Sequence, residues 1–564
     1  MTFVSLHGQL YFDEMNLMPH PNRAMIRSGT FLAIASICLA ASAQTNSWVP
    51  KKMSLEDCIE TSLQHNLDVR IQRYNPEINL YTLNSVYGAY DPNLSLTISH
   101  QYSESSGGID AQGRLFPGTS QDVDTFSGAL SGLLPWGTTY SIGASLIDTY
   151  GNRGTSVFPN TNDVINFQQQ ILFTNMFGTN FVPISTNFIP NQFGLLTNSV
   201  KFEQFSGSFG LAQIRQPLLK NFWIDSTRLA ILVDKSNMRA SELDLRNQVM
   251  TTVTTVEKAF YDLIYDQENI KVQQKAVELA ERQLMENRKR VEVGTMAPLD
   301  EKQAESQAAQ SRADLIAAIG TEETQQRVLK SLLSDNYSDW ENFSIQPDQT
   351  LAAVPQTFVL RESWSIGLKQ RPDILKEKEL LEQAGYQIRY SRNQLFPELD
   401  LFGSAGLSPS SATFGGFQNQ VGGLDNPFYS VGGQITFPLS NTSARNNLKI
   451  AKARKAQSEL QLKQIIQNAL IDIENSIATV NTDFQAVGAR REARVYAEAA
   501  LEAEQKKLEN GKSTSFVVLQ LTRDLTTARS AEIRALADYN QALADAAMQD
   551  GTTLERRHIK LEWK

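Results

Sequence analysis

Gly511-Lys512-Ser513 has the ending of a phosphate-cradling loop, in which backbone N–H groups and a lysine hold a nucleotide's phosphates. That loop needs an earlier glycine, which would fall at Lys506, and a strand before it where this chain has a helical pattern, so nucleotide binding is set aside. The five histidines, His7, His20, His65, His100 and His558, are scattered without metal-ligand spacing. Acidic side chains are abundant, yet they lie at solvated helical spacings, and no nucleophile, base and orienting group can be assembled. No catalytic group, metal or cofactor is expected. What remains are two short glycine turns, Gly294-Thr295-Met296-Ala297-Pro298-Leu299-Asp300 and Gly511-Lys512-Ser513-Thr514-Ser515-Phe516.

Each turn closes a long heptad tract. Val249, Val253, Val256, Phe260, Leu263, Ile270, Val277, Leu284 and Val291 recur in steps of three, four or seven before Gly294. Ile466, Leu470, Ile473, Ile477, Val480, Val487, Leu501 and Leu508 do so before Gly511, with one double step of fourteen from Val487 to Leu501. The shift of 217 residues between the glycines carries one seam onto the other, with Arg494 opposite Val277 as the apolar mismatch. The tracts are an internal repeat of two long helices. Gln267, Gln274, Glu281 and Arg288 in the first seam, and Arg491, Glu498 and Gln505 in the second, suit an open ring of helices with one wet flank better than a two-stranded coil.

The repeat extends upstream. Leu55, Ile59, Leu63 and Leu67 are spaced for a helix, with Ser54 as N-cap and Asp57 three residues on, and a shift of 305 pairs Leu55 with Leu360 and Pro92 with Pro397. After each of these prolines the period changes to two, first through Leu94, Leu96, Ile98, His100 and Tyr102, then through Leu399, Leu401, Gly403, Ala405 and Leu407. Returning strands are predicted at 205–214 and 429–437. Such segments, spliced between long helices, cannot make a stable sheet alone and need other chains, which points to a membrane β-barrel. A further hairpin at 126–133 and 140–146, around Pro135-Trp136-Gly137, is left open as two more barrel strands or an extension of the outer ones. Residues 151–200, uncharged from Val164 to Val200, read as a long outer loop.

Arg23 and Arg27, the apolar run Phe31 to Ala41 and Ala41-Ser42-Ala43 read as an export signal, too short to span a bilayer, with Met25 as a possible start. Of the two cysteines, Cys38 falls in that leader and Cys58 stands alone in the mature chain; Ile37 disfavours lipid attachment at Cys38. The formal charge of −9 and the lack of a basic stripe exclude a nucleic-acid partner. The organisation expected is a leader at 1–43, a first repeat at 44–333 with its tip at 294–298, a linker or equatorial segment at 334–359, a second repeat at 360–548 with its tip at 511–515, and a loose polar tail at 549–564.

The leader, the duplicated helix-strand-strand-helix plan and the two glycine tips resemble the outer-membrane efflux protein family named after TolC. The resemblance covers essentially the whole mature chain. It implies a trimer of the α/β-barrel type, with a membrane β-barrel in the outer-membrane lipid and an all-α periplasmic tunnel, acting as a passive export channel and not as an enzyme. Its implied partners are a periplasmic adaptor (membrane fusion protein) and an inner-membrane pump of RND, ABC or MFS class, in drug efflux or type I secretion. It also implies that Gly294, Thr295, Pro298, Asp300, Gly511, Lys512 and Ser513 form the periplasmic entrance and adaptor-docking surface. A constriction is expected from Asp300, although Val517 and Gln520 occupy the matching acidic places of the second repeat. Asp300 has a plainer reading as a charge favouring its helix N-terminus. A structural coiled-coil envelope protein or adhesin without a pore is the competing reading of the whole chain.

Overall fold

The computed structural model describes residues 49–109, 115–157 and 196–560. The leader at 1–43, with Cys38, and residues 158–195 of the long loop lie outside the described residues. The chain opens with β1 (Val49–Met53), α1 (Leu55–His65) and α2 (Leu67–Tyr87), followed by four long strands: β2 (Asn93–Ser105), β3 (Thr119–Leu133), β4 (Thr139–Val157) and β5 (Leu196–Pro217). Next come α3 (Ser226–Glu292), α4 (Pro298–Leu333) and β6 (Phe343–Pro347). The second half holds α5 (Leu360–Gln370), α6 (Pro372–Asn393), β7 (Glu398–Leu407), α7 (Phe414–Gly422), β8 (Pro427–Thr436), α8 (Thr442–Glu509), α9 (Ser515–Gln549) and the short α10 (Thr553–Arg556).

One antiparallel sheet runs in the order β8-β7-β5-β4-β3-β2, with the short strand Ser410–Ser411 also pairing with β5. The open hairpin is thereby decided: β3 and β4 are full members of the sheet, so the first half supplies four long strands and the second two. Strands also reach further than the alternation alone marks, β4 to Val157 and β5 back to Leu196, which narrows the outer loop. The sequence understated them because their outer ends are as polar as the loop they enter.

Residues paired across a ladder share a face. Leu94, Leu96 and Ile98 align with Leu130, Gly128 and Phe126, and these with Ile142, Ala144 and Leu146, to build one apolar face. Tyr429, Val431 and Ile435 continue it on β8. Ile98 is 77% exposed and Val431 84%, although both are strongly apolar. The opposite face is polar, with hydroxyl pairs such as Ser145–Ser208 at 3.0 Å and Ser404–Ser430 at 2.7 Å. Trp136, Trp223, Phe396 and Phe437 are exposed near the helical end of the apolar face, and Tyr102 and Tyr150 mark its other end. An apolar band between aromatic girdles around a polar interior is the membrane-barrel pattern. Among the described residues no helix is long and apolar enough to cross a membrane.

The helices form one long and one composite rod per half. Ser54 and Asp57 cap α1 reciprocally, Asp57 N–H donating to Ser54 Oγ at 3.1 Å and Ser54 N–H to Asp57 Oδ2 at 3.0 Å. Asn66 breaks α1 from α2, accepts from the N–H groups of Asp68 and Val69, and donates to the Leu332 carbonyl at 3.2 Å, so it joins the opening helices to the end of α4. Ser62 donates to the same carbonyl at 2.9 Å. In the second half Arg371 does the corresponding work, donating to the Gln549 carbonyl at the end of α9 at 3.1 Å.

The largest core lies where the α1–α4 junction meets α3. It gathers Leu55, Cys58, Ile59, Val249, Val256, Phe260, Leu263, Leu329, Leu333 and Ile345. Burial pushes the Cys58 thiol up to about 12, so it is inert packing. The linker and the tail, the latter expected to be loose, are both built into this region. The linker contributes β6, which pairs in parallel with β1, and the Gln326 side chain both donates to and accepts from the Ile345 backbone at 2.8 and 3.0 Å. The tail returns through buried Leu554, and Arg557 donates to the buried carboxylate of Glu257 at 2.6 Å. An unpaired Glu257 would be costly to bury, which is why the polar tail is held.

Asp266 on α3 is buried beside Asp262 and Glu322, and desolvation lifts its carboxyl to about 6 against the pull of Arg534. A carboxyl whose folded pKa is raised costs stability as pH climbs from about 4 through about 6, because only the unfolded chain ionises it freely. Asp266→Asn is therefore expected to stabilise the protein by about 1 kcal/mol at pH 7.5 and by almost nothing at pH 4.5, measured by thermal unfolding in detergent.

Candidate functional site

The two helical hairpins end in turns of the same construction. α3 ends at Glu292, Gly294 takes φ +75°, and the N–H of Thr295 donates to the Arg290 carbonyl at 2.8 Å. α8 ends at Glu509, Gly511 takes φ +69°, and the N–H of Lys512 donates to the Lys507 carbonyl at 2.8 Å. A Cβ at either glycine would meet open space, so glycine is needed for its left-handed backbone alone. Thr295 Oγ1 returns a second bond to the Arg290 carbonyl, and Pro298 starts α4 where its missing N–H costs nothing.

The predicted residues have distinct settings. Asp300 Oδ2 accepts the N–H of Ala297 at 3.3 Å, so its carboxylate caps its own helix. Ser513 donates to Glu504 across the second turn, and that bond, with Lys507 behind it, holds the Glu504 carboxyl below the ordinary range. Lys512 is exposed and makes no ion pair among the described residues. Val517 and Gln520 lie one turn apart on the exposed side of α9, and no hydrogen bond joins either to the Asp300 side chain.

Several tip carboxylates are already paired. Arg288 spans Glu301 and Glu305 at 3.1 and 3.2 Å, and Lys302, at 2.8 Å from Glu305, holds that carboxyl low. Local charge is largely cancelled, which leaves apolar Val293, Leu299 and Phe516 exposed beside free Lys512. Met296 of the first tip packs on Leu501, Leu508, Val518 and Leu525 of the second hairpin, bringing the two tips together.

The strongest cross-hairpin contact escaped the sequence reading. Asn287 is 0% exposed; its Nδ2 donates to Ser515 Oγ at 2.6 Å and to the Asp300 carbonyl at 3.3 Å, while its Oδ1 accepts from Gln283 at 2.9 Å. Further up α3 and α9, Asn269 meets Ser530 at 2.7 Å, Asp262 meets Arg534 at 2.8 Å and Lys258 meets Asp545 at 2.6 Å. Arg523 of α9 reaches Gln307 of α4. The signal was a row one residue ahead of Gln267 and Arg288: Thr252, Ala259, Asp266, Ala280 and Asn287, all buried and spaced by sevens or their multiples. Gln274 and Arg288 are exposed instead. α3 packs against α4 and α9 at once, so its buried stripe is wider than one heptad seam.

Comparison with known proteins fits this geometry. The profile described as outer membrane efflux protein matches residues 209–334 and 365–547, both helical hairpins together with the end of β5 and with β7 and β8. The chain belongs to the outer membrane efflux protein family. It is similar to the outer membrane efflux protein BepC of Brucella suis, 23% identical over 351 residues that span 62% of this chain and 72% of that protein. Its fold is that of the outer-membrane channel OprN, with a TM-score of 0.60 at 15% identity over 88% of this chain and 90% of the other. It is equally that of the Campylobacter jejuni channel CmeC, with a TM-score of 0.59 at 16% identity over 93% and 94%. The efflux-family chain is thus a passive export channel with its sheet in the outer membrane and its helices in the periplasm. The family is one of channels and not of enzymes.

Replacing Asn287 or Ser515 by Ala strands a buried polar partner and should cost about 1–3 kcal/mol each. The double variant should cost clearly less than the sum, because both remove one bond. Urea unfolding of the four proteins measures the coupling, and a purely additive result would show that the contact does not join the hairpins energetically.

Proposed function

We propose that three copies of this efflux-family chain close into one duct, and that the hairpin tips form its periplasmic entrance. The observation that carries this is the coincidence of open edges in every layer. The sheet ends at β2 on one side and β8 on the other. In the upper helices α2 packs on α3, α3 on α6 and α6 on α8; in the lower ones α4 packs on α3, α3 on α9 and α9 on α8. First-repeat elements therefore make one edge, and β8 with α8 make the other. Exposed apolar side chains sit on both, with Ile71, Tyr74, Ile78 and Tyr81 on α2 and Leu460, Ile471 and Tyr496 on α8. Two different complementary edges imply head-to-tail closure into a ring.

Six long strands per chain would give an eighteen-stranded barrel, large enough by general barrel geometry for an aqueous lumen. The tips, with Gly294, Thr295, Pro298, Asp300, Gly511, Lys512 and Ser513, then form the docking surface for a periplasmic adaptor serving an inner-membrane pump of RND, ABC or MFS class, in drug efflux or type I secretion. Asp300, Val517 and Gln520 line the narrowest ring, with Lys512 as a cation that neighbouring hairpins can engage. The pairing of acidic groups within each tip supports an entrance closed by few inter-chain contacts.

Two measurements test the reading. The protein extracted from outer membranes should migrate as a heat-sensitive trimer and carry single-channel current in a planar bilayer; a monomeric, non-conducting rod overturns it. Asp300→Ala combined with Lys512→Ala should raise the open probability of the closed channel several-fold, and unchanged current would remove both residues from the latch while leaving the duct intact.

A further inference from the structure

On α6, Gln387, Ser391 and Gln394 line a cavity together with Glu398 and Thr436, which are paired on the polar face of the sheet. At ~100° of helical turn per residue, Arg389 and Arg392 fall on the side of that helix opposite Gln387 and Ser391, while Phe396, beyond the helix end, borders both cavities. All three line the second, of about 520 Å³, with Trp223, Ile231 and Leu232 at the start of α3. Since the polar face lines the duct, this second cavity opens outward, continuous with the apolar face of the barrel. The α3–α6 groove lies inside one chain, away from the edges at α2 and α8, and stays open when copies join.

The chemistry of the cavity is amphipathic. Trp223 is 79% exposed at its rim, and Ile231, Leu232 and Phe396 provide apolar floor. Arg228, also on the lining, is committed to Asp225 and to the Phe222 carbonyl. Arg389 and Arg392, one turn apart, are exposed and make no hydrogen bond or ion pair among the described residues; the Arg389 guanidinium stands 5.7 Å from the Tyr386 ring. Two free guanidinium groups therefore lie beside apolar surface where the strands give way to helices. That is the depth of the lipid headgroups on the periplasmic side.

We propose that this cavity binds an anionic glycerophospholipid of the periplasm-facing leaflet. Arg389 and Arg392 hold its phosphate, and an acyl chain lies along Trp223, Ile231, Leu232 and Phe396. The guanidinium fork matches phosphate oxygens, whereas a free phosphate ion would leave the apolar floor unused. The proposal rests on the outer-membrane placement of the barrel and adds to it a lipid seat at the barrel–tunnel junction.

The test uses the purified full-length channel in neutral detergent, titrated with phosphatidylglycerol or phosphatidylcholine in mixed micelles, with bound lipid counted by native mass spectrometry. Wild-type protein should retain phosphatidylglycerol preferentially. Arg389→Gln and Arg392→Gln should each weaken that retention about fivefold, the usual value of one cation at a lipid surface. Trp223→Ala should weaken retention of both lipids. Unchanged retention in the Arg389→Gln/Arg392→Gln double variant overturns the proposal, as does inorganic phosphate competing as well as the lipid. Single-channel current recorded on the same samples separates the outcomes: a conducting channel without lipid preference defeats the pocket alone, and a non-conducting sample defeats the channel reading.

Discussion

A strand edge in hydrocarbon has no water to satisfy its N–H and C=O groups, so a sheet that enters a membrane must close. In this chain the unpaired backbones of β2 and β8 are the groups under that constraint. Everything else is arranged so that their closure is not opposed elsewhere. The composite rod of α2 and α4 lies on the β2 side and the long α8 on the β8 side, so one lateral step joins sheet and helices together. The splices at Asn66 and Arg371 matter for the same reason, because a rod that broke at either junction would let the helical edge drift from the sheet edge above it.

Within one chain the two repeats are fastened along α3. The named contacts there are polar and run from Lys258–Asp545 near the equator to Asn287–Ser515 at the tips. Each such contact contributes little when solvated, but the buried pair is expensive to break because its partners have nowhere else to go. The hairpins are thus held in register at the end that has least apolar core. The equatorial core is the opposite case: Phe260, Leu263 and Leu329 are fully buried there, and the parallel β1–β6 pair and the returning tail cover it.

The long helices, the glycine tips and the alternation around Leu94–Ile98 and Leu399–Leu407 were legible because each rests on a local period or a backbone requirement that glycine alone meets cheaply. Ser54 and Asp57 were legible for the same reason, since a cap is decided within four residues. The outer ends of β4 and β5 were not, because Asp148 and Asn152 on the ladder are chemically indistinguishable from loop residues until their partners are known. Asn287 was missed because a single heptad phase assumes one partner helix, and α3 has two. β6 and the tail were hidden by composition: what orders them is the Gln326 side chain and buried Glu257, both distant in sequence.

The additional hairpin β3–β4 has a consequence in perimeter. A strand ~4.8 Å from its neighbour and tilted by ~40° takes up about 6 Å of circumference, so the eighteen strands of the proposed ring would enclose about 110 Å. Twelve rods set ~8–10 Å apart enclose about the same. Four strands from the first repeat and two from the second therefore let the wall change from sheet to helix without a step in width. In the proposed ring, cargo leaving the helical section would meet a membrane section of equal girth.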